Sequence, residues 1–162
     1  MLENTDGADF LPMRLVTVLV AASIAIALAA TYALALIDES STSGARACAA
    51  RIAETAAAEY ADGCIDGEGL ILTGLTVPGN VRMITFGEAP ANGPVAPRAG
   101  MYTIQFKDGG NETFFTEAPL GDGSPGLAYG GPLALYPGRY TVSIRIGSVN
   151  GSIMALVLPE AA

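Results

Sequence analysis

The chain has no histidine and no tryptophan among its 162 residues, a single lysine (Lys107) beside seven arginines, and two cysteines. Without histidine there is no imidazole base for a Ser/His or Cys/His nucleophile, and no histidine ligand for zinc or haem. Most familiar hydrolase and metalloenzyme mechanisms are thereby removed. Eight cations stand against sixteen acidic residues, a net charge of −8, and none of the cations are clustered. Counterion displacement from a nucleic acid needs such clusters, so the reading is no nucleic acid as partner. The remaining acid and base candidates are scattered carboxylates with no evident partner, and no glycine-rich phosphate motif follows a strand and opens a helix. The chain therefore reads as no enzyme, with no cofactor and no metal.

Charge is also missing from Leu15 to Ile37, an uninterrupted apolar run of 23 residues. As a helix rising about 1.5 Å per residue, that run is roughly 34 Å long, enough to cross a hydrocarbon layer of about 30 Å. Membrane lipid is its expected surrounding. Eight of the 23 residues are alanine, and Ala21, Ala25, Ala29 and Ala33 recur every four residues. Small side chains on one face let helix backbones approach closely, and such packing drives association where lipid offers no hydrophobic gain. These four alanines are the candidate helix-packing face, and other helices in the membrane are the expected partners. A cleavable secretory signal is the rival reading, with Ala33-Leu34-Ala35 supplying the small-x-small pattern and Leu36 a mature start. The run is longer than such a signal, and Glu3, Asp6 and Asp9 precede it against Arg14 alone, where a signal carries net positive charge.

The stretch Asp38-Glu39-Ser40-Ser41-Thr42-Ser43-Gly44 is poor in helix formers and predicts a kink or hinge. Beyond it Ala45, Cys48, Ala49, Ile52, Ala56 and Tyr60 recur at three- and four-residue steps, the pattern of an amphipathic helix ending near Asp62-Gly63. After Gly69 the period becomes two. Tyr140, Val142, Ile144 and Ile146 alternate with polar residues, as do Tyr102, Ile104 and Phe106, and further strands are predicted at 70–77, 81–87, 112–116 and 153–158. The last is continuously apolar, as a strand buried on both faces would be. Pro78-Gly79-Asn80, Asp108 to Asn111 and Val149-Asn150-Gly151 read as hairpin turns, while 88–98 and 117–138 read as loop-rich insertions. The predicted organisation is an N-terminal tail (1–14), a transmembrane helix (15–37), an amphipathic stalk helix (38–62) and a small antiparallel β-sheet or sandwich head (63–162), an α+β fold.

Asn111-Glu112-Thr113 and Asn150-Gly151-Ser152 are glycosylation acceptor triplets, and both fall at predicted turns. They favour a β domain outside the cytoplasm, whereas Arg46 and Arg51 just beyond the apolar run leave the positive-inside count undecided. Cys48 and Cys64 are not expected to bridge: fourteen helical steps from Cys48 to Asp62 span roughly 21 Å, against about 4.4–6.8 Å between disulfide Cα atoms. Asp62, Asp66 and Glu68 crowd a glycine-rich loop whose spacing does not fit a calcium loop, and a solvated turn is the favoured reading.

An apolar N-terminal helix that continues into an amphipathic half and then a β head is similar in layout to type IV pilin-like proteins. Gly7-Ala8-Asp9-Phe10-Leu11-Pro12, leading directly into the apolar helix, most resembles the archaeal members. The resemblance covers the whole chain in arrangement and rests on no head motif. It implies a structural subunit or minor component of a cell-surface filament, with other pilin-like subunits as partners in a homo- or hetero-oligomer. It also implies cleavage by a dedicated peptidase, with Gly7 and Ala8 as the candidate site. Asp6 stands where family signals carry Lys or Arg, which points to a minor pilin or an uncleaved pilin-like membrane protein. The alternative is a bitopic or secreted β domain that binds a surface ligand through its Pro/Gly-rich loops.

Overall fold

The computed structural model of the chain describes residues 10–63, 69–87, 100–126 and 129–161. One helix, α1 (Phe10–Asp62), is followed by eight strands: β1 (Leu70–Val77), β2 (Val81–Phe86), β3 (Met101–Phe106), β4 (Asn111–Phe115), β5 (Leu120–Asp122), β6 (Leu133–Leu135), β7 (Gly138–Val149) and β8 (Ser152–Ala161). The strands form two four-stranded sheets, ordered β1-β7-β8-β5 and β4-β3-β2-β6. The chain divides into two compact units, Met1–Glu39 and Ser40–Ala162.

α1 begins five residues earlier than the apolar run, since Pro12 falls within the first turn, where its missing N–H costs nothing. It ends where expected, with Gly63 at φ +68° in the left-handed cap position. Residues 38–44, poor in helix formers, are helical. Tertiary contacts override their weak propensity. Ser41 and Thr42 are half-buried, Asn80 Nδ2 donates to Thr42 Oγ1 at 3.3 Å, and the Pro78 ring lies beside Gly44.

Within the second unit, α1 buries Ala45, Cys48, Ala49, Ile52, Ala53 and Ala56 in one core shared with both sheets. Their spacing is the apolar face read from the sequence, with Ala53 added and Tyr60 only half-buried. The face fits between edge strands. Cys48 hydrogen-bonds the backbone of Thr76 on β1, Arg46 pairs with Glu112 on β4, and Thr116 Oγ1 just past β4 donates to the Ala53 carbonyl at 3.5 Å. Ile52 has no exposed surface, and burying a side chain of its size contributes about 1.5–3 kcal/mol. Tyr102, in the same core, is stacked on Phe114 at 5.1 Å and tilted against Phe86 at 5.8 Å.

Two bulges set which side chains face inward. On β1, Leu72 pairs with Val142 and Leu75 with Tyr140, so Thr73 and Gly74 together oppose one residue. That extra residue lets Leu72, Leu75 and Val77 all be buried, where strict alternation would turn Leu72 outward. A second register shift between Val81 and Met83 does the same for Val81, Ile84 and Phe86 on β2. Gly74 sits at φ +70°, where a side chain is strained. Gly74→Ala is expected to lower the stability of a fragment covering Ser40–Ala162 by about 1–2 kcal/mol, read by urea unfolding at unchanged m-value.

The hairpin readings divide. The β7–β8 turn holds, closing Val149 onto Ser152 across Asn150-Gly151, and the β3–β4 turn holds around Asp108 to Gly110. Pro78-Gly79-Asn80 instead is a corner, because β1 pairs with β7 and β2 pairs with β3 and β6. The segment 117–138, expected to be loop, contains β5 and β6, and β5 lies parallel to β8. Asp122 N donates to the Gly131 carbonyl and Gly130 N to the Asp122 carbonyl, both at 2.8 Å, drawing residues 129–131 over the outer face of the first sheet. Met154 and Leu156 are buried there, while Ala155 and Val157 face the main core. From Met154 to Val157 β8 is thus buried on both faces, as read, while Ile153 at its start is exposed.

Candidate functional site

The first part of α1 is exposed throughout. Every residue from Met13 to Glu39 is exposed, and the large apolar side chains from Met13 to Ile37 are between 54% and 77% exposed. This helix is long and apolar enough to cross a membrane. Ala21, Ala25, Ala29 and Ala33 lie on it and are exposed. Steps of four residues at 3.6 per turn wind the row gradually about the axis.

One serine and two threonines fall in the apolar run, and the hydroxyl of each is satisfied on the helix itself. Thr17 Oγ1 donates to the Met13 carbonyl at 2.9 Å, Ser23 Oγ to the Leu19 carbonyl at 2.8 Å, and Thr31 Oγ1 to the Leu28 carbonyl at 2.8 Å. A polar group without a partner costs several kcal/mol in hydrocarbon, so this back-bonding makes those three positions compatible with lipid. The sequence places those hydroxyls at positions with a carbonyl three or four residues earlier, a signal that the apolar count overlooks.

The sequon residues are separated. Asn111 opens β4, exposed, opposite Gln105. Thr113 Oγ1 lies 3.1 Å from Thr103 Oγ1, and Glu112 accepts both arms of the Arg46 guanidinium, the Nε arm at 2.8 Å. Asn150 is exposed at the tip of the β7–β8 turn, with φ +51°. The candidate peptidase residues Gly7 and Ala8, the acidic loop residues Asp66 and Glu68, the 88–98 insertion and Cys64 lie outside the described residues.

Cys48 is unbridged and buried, and burial pushes its thiol above the ordinary value, against the lowering effects of the Thr76 hydrogen bond and Arg51. It is a filler of the core and carries no nucleophile chemistry. Burial likewise raises the Tyr102 phenol, with Glu54 adding to it. The Arg46 hydrogen bond holds the Glu112 carboxyl below the usual range. A depressed carboxylate contributes stability above its unfolded pKa and loses it as pH falls through the folded one. That contribution therefore belongs to neutral pH and disappears in acid, and salt screens it because both groups are at the surface.

Among the described residues no group of three His, Cys, Asp or Glu side chains comes together. Comparison with protein-family models, with curated proteins and with solved structures finds no match to this chain.

Proposed function

We propose that this chain is a non-enzymatic, pilin-like structural subunit or minor component of an archaeal cell-surface filament, anchored by the first part of α1 with its β domain outside the cytoplasm. The observation that carries the proposal is the division of α1. Its later part spends its apolar face on the chain's own β domain, and its earlier part is apolar and exposed on every side with its serine and threonine hydroxyls back-bonded. Such a segment needs lipid or other apolar helices around it, and a row of alanines suits it to the second as well as the first. The binding-module alternative draws less support, because one of its two Pro/Gly-rich segments is largely taken up by β5, β6 and the cover over Met154 and Leu156.

Protease treatment of intact cells tests the topology. The β domain is expected to be degraded while the anchor stays in the membrane fraction. A β domain protected until lysis would reverse the topology and end the pilin reading. Mass spectrometry of the native N-terminus distinguishes the forms, with a start at Ala8 marking a processed subunit, at Met1 or Leu2 an uncleaved anchor, and at Leu36 a secreted domain.

A further inference from the structure

We infer that Asn150, and not Asn111, is an N-glycan acceptor, taking an oligosaccharide from a lipid-phosphate-linked donor. The inference rests on the reading that the β domain lies outside the cytoplasm. Asn150-Gly151-Ser152 sits at the end of a ribbon that outruns its sheet. β7 and β8 pair from Tyr140 opposite Ala161 to Val149 opposite Ser152. On one side β1 reaches only Ile144, and on the other β5 reaches only Ala155. The rungs beyond Ile146 therefore have no strand beside them, and Ser148, Asn150 and Gly151 are exposed at the tip.

Turn chemistry explains half of the triplet. Asn150 at φ +51° and Gly151 at φ +82° supply the two positive φ values of a two-residue hairpin loop, and Asn-Gly is the favoured pair there. It does not explain Ser152, whose place opposite Val149 any strand residue could take. A hydroxyl two residues beyond the asparagine is what the acceptor triplet adds. The Asn111 triplet is held differently. Glu112 is fixed to Arg46 on α1, Thr113 is engaged with Thr103, and all three residues lie flat in the β3–β4 ladder. An enzyme that must draw the amide and the hydroxyl into one site meets a protruding turn at Asn150 and a clamped strand at Asn111.

In the transfer, Asn150 Nδ2 forms a bond to the anomeric carbon of the sugar as the bond from that carbon to the donor's phosphate oxygen breaks. The lipid phosphate leaves with the electron pair, and the amide gives one proton to a base of the transferase.

Trypsin separates the two sites, because Lys107, Arg139 and Arg145 place Asn111 in the peptide 108–139 and Asn150 in 146–162. Full-length protein from its native membrane should yield 146–162 with an added hexose-containing mass and 108–139 without one. Asn150→Gln and Ser152→Ala should each remove that mass, and Ser152→Thr should keep it. An unmodified 146–162 overturns the proposal. Protease shaving of the same cells then separates the causes: an accessible β domain means that this site alone is wrong, and a protected one means that the topology is wrong too. Sugar on 108–139 instead would overturn the choice between the sites, and sugar that persists in Ser152→Ala would overturn the triplet as its cause.

Discussion

A fragment beginning at Ser40 is expected to be soluble, monomeric and folded, and a fragment beginning at Gly69 is expected to lack a fixed tertiary structure. The difference is the later part of α1. Removing it takes Ala45, Cys48, Ala49, Ile52, Ala53 and Ala56 out of the core cluster and exposes the apolar side chains packed against them to water. Truncating one buried isoleucine of this kind costs about 2–5 kcal/mol, against a total stability of about 5–15 kcal/mol for a small domain. Losing six buried side chains together exceeds what a β sandwich of this size holds in reserve. Amide dispersion in NMR spectra and a cooperative thermal transition are the readouts. A well-dispersed spectrum from the shorter fragment would show that the helix decorates the sandwich and does not complete it. Ile52→Ala in the longer fragment is the milder form of the same test.

Replacing Ala25 and Ala29 by leucine should leave membrane insertion intact and abolish association with partner helices. Leucine is at least as favourable in the bilayer, so the anchor is kept. Its bulk holds neighbouring backbones apart, and the close contact that drives packing in lipid is lost. A penalty of about 1.4 kcal/mol is already tenfold in association, so crosslinked product should fall by at least about tenfold at equal membrane content. Crosslinking that survives both leucines would make the alanine row a matter of composition, and the chain a solitary anchor.

Much of the β domain was legible because alternation at period two marks a half-buried strand, and the strands around Ile104 and Ile144 lie where that pattern puts them. Partnership was not. Pro78-Gly79-Asn80 specifies a change of direction, and nothing in three turn residues says whether the next strand returns to the same sheet or crosses to the other. β5 and β6 have three residues each, too few for any period to register. The helicity of Asp38–Gly44 was hard to read because propensity is a weak prior, and contacts from Asn80 and Pro78 lie some 35 residues away in sequence. The amphipathic pattern from Ala45 named the buried face correctly without naming what covers it. The alanine row and both sequons are local motifs, visible in the spacing alone. What separates Asn150 from Asn111 is where each neighbouring strand stops, which only register reveals.

Because the later part of α1 lends its apolar face to the β-domain core, the seat around Ile52 and Ala49 is at once a folding contact and the grip by which the β domain holds that part of the helix. Six buried side chains share this seat. A substitution such as Ile52→Ala should therefore loosen the grip and lower the folding stability of the domain together.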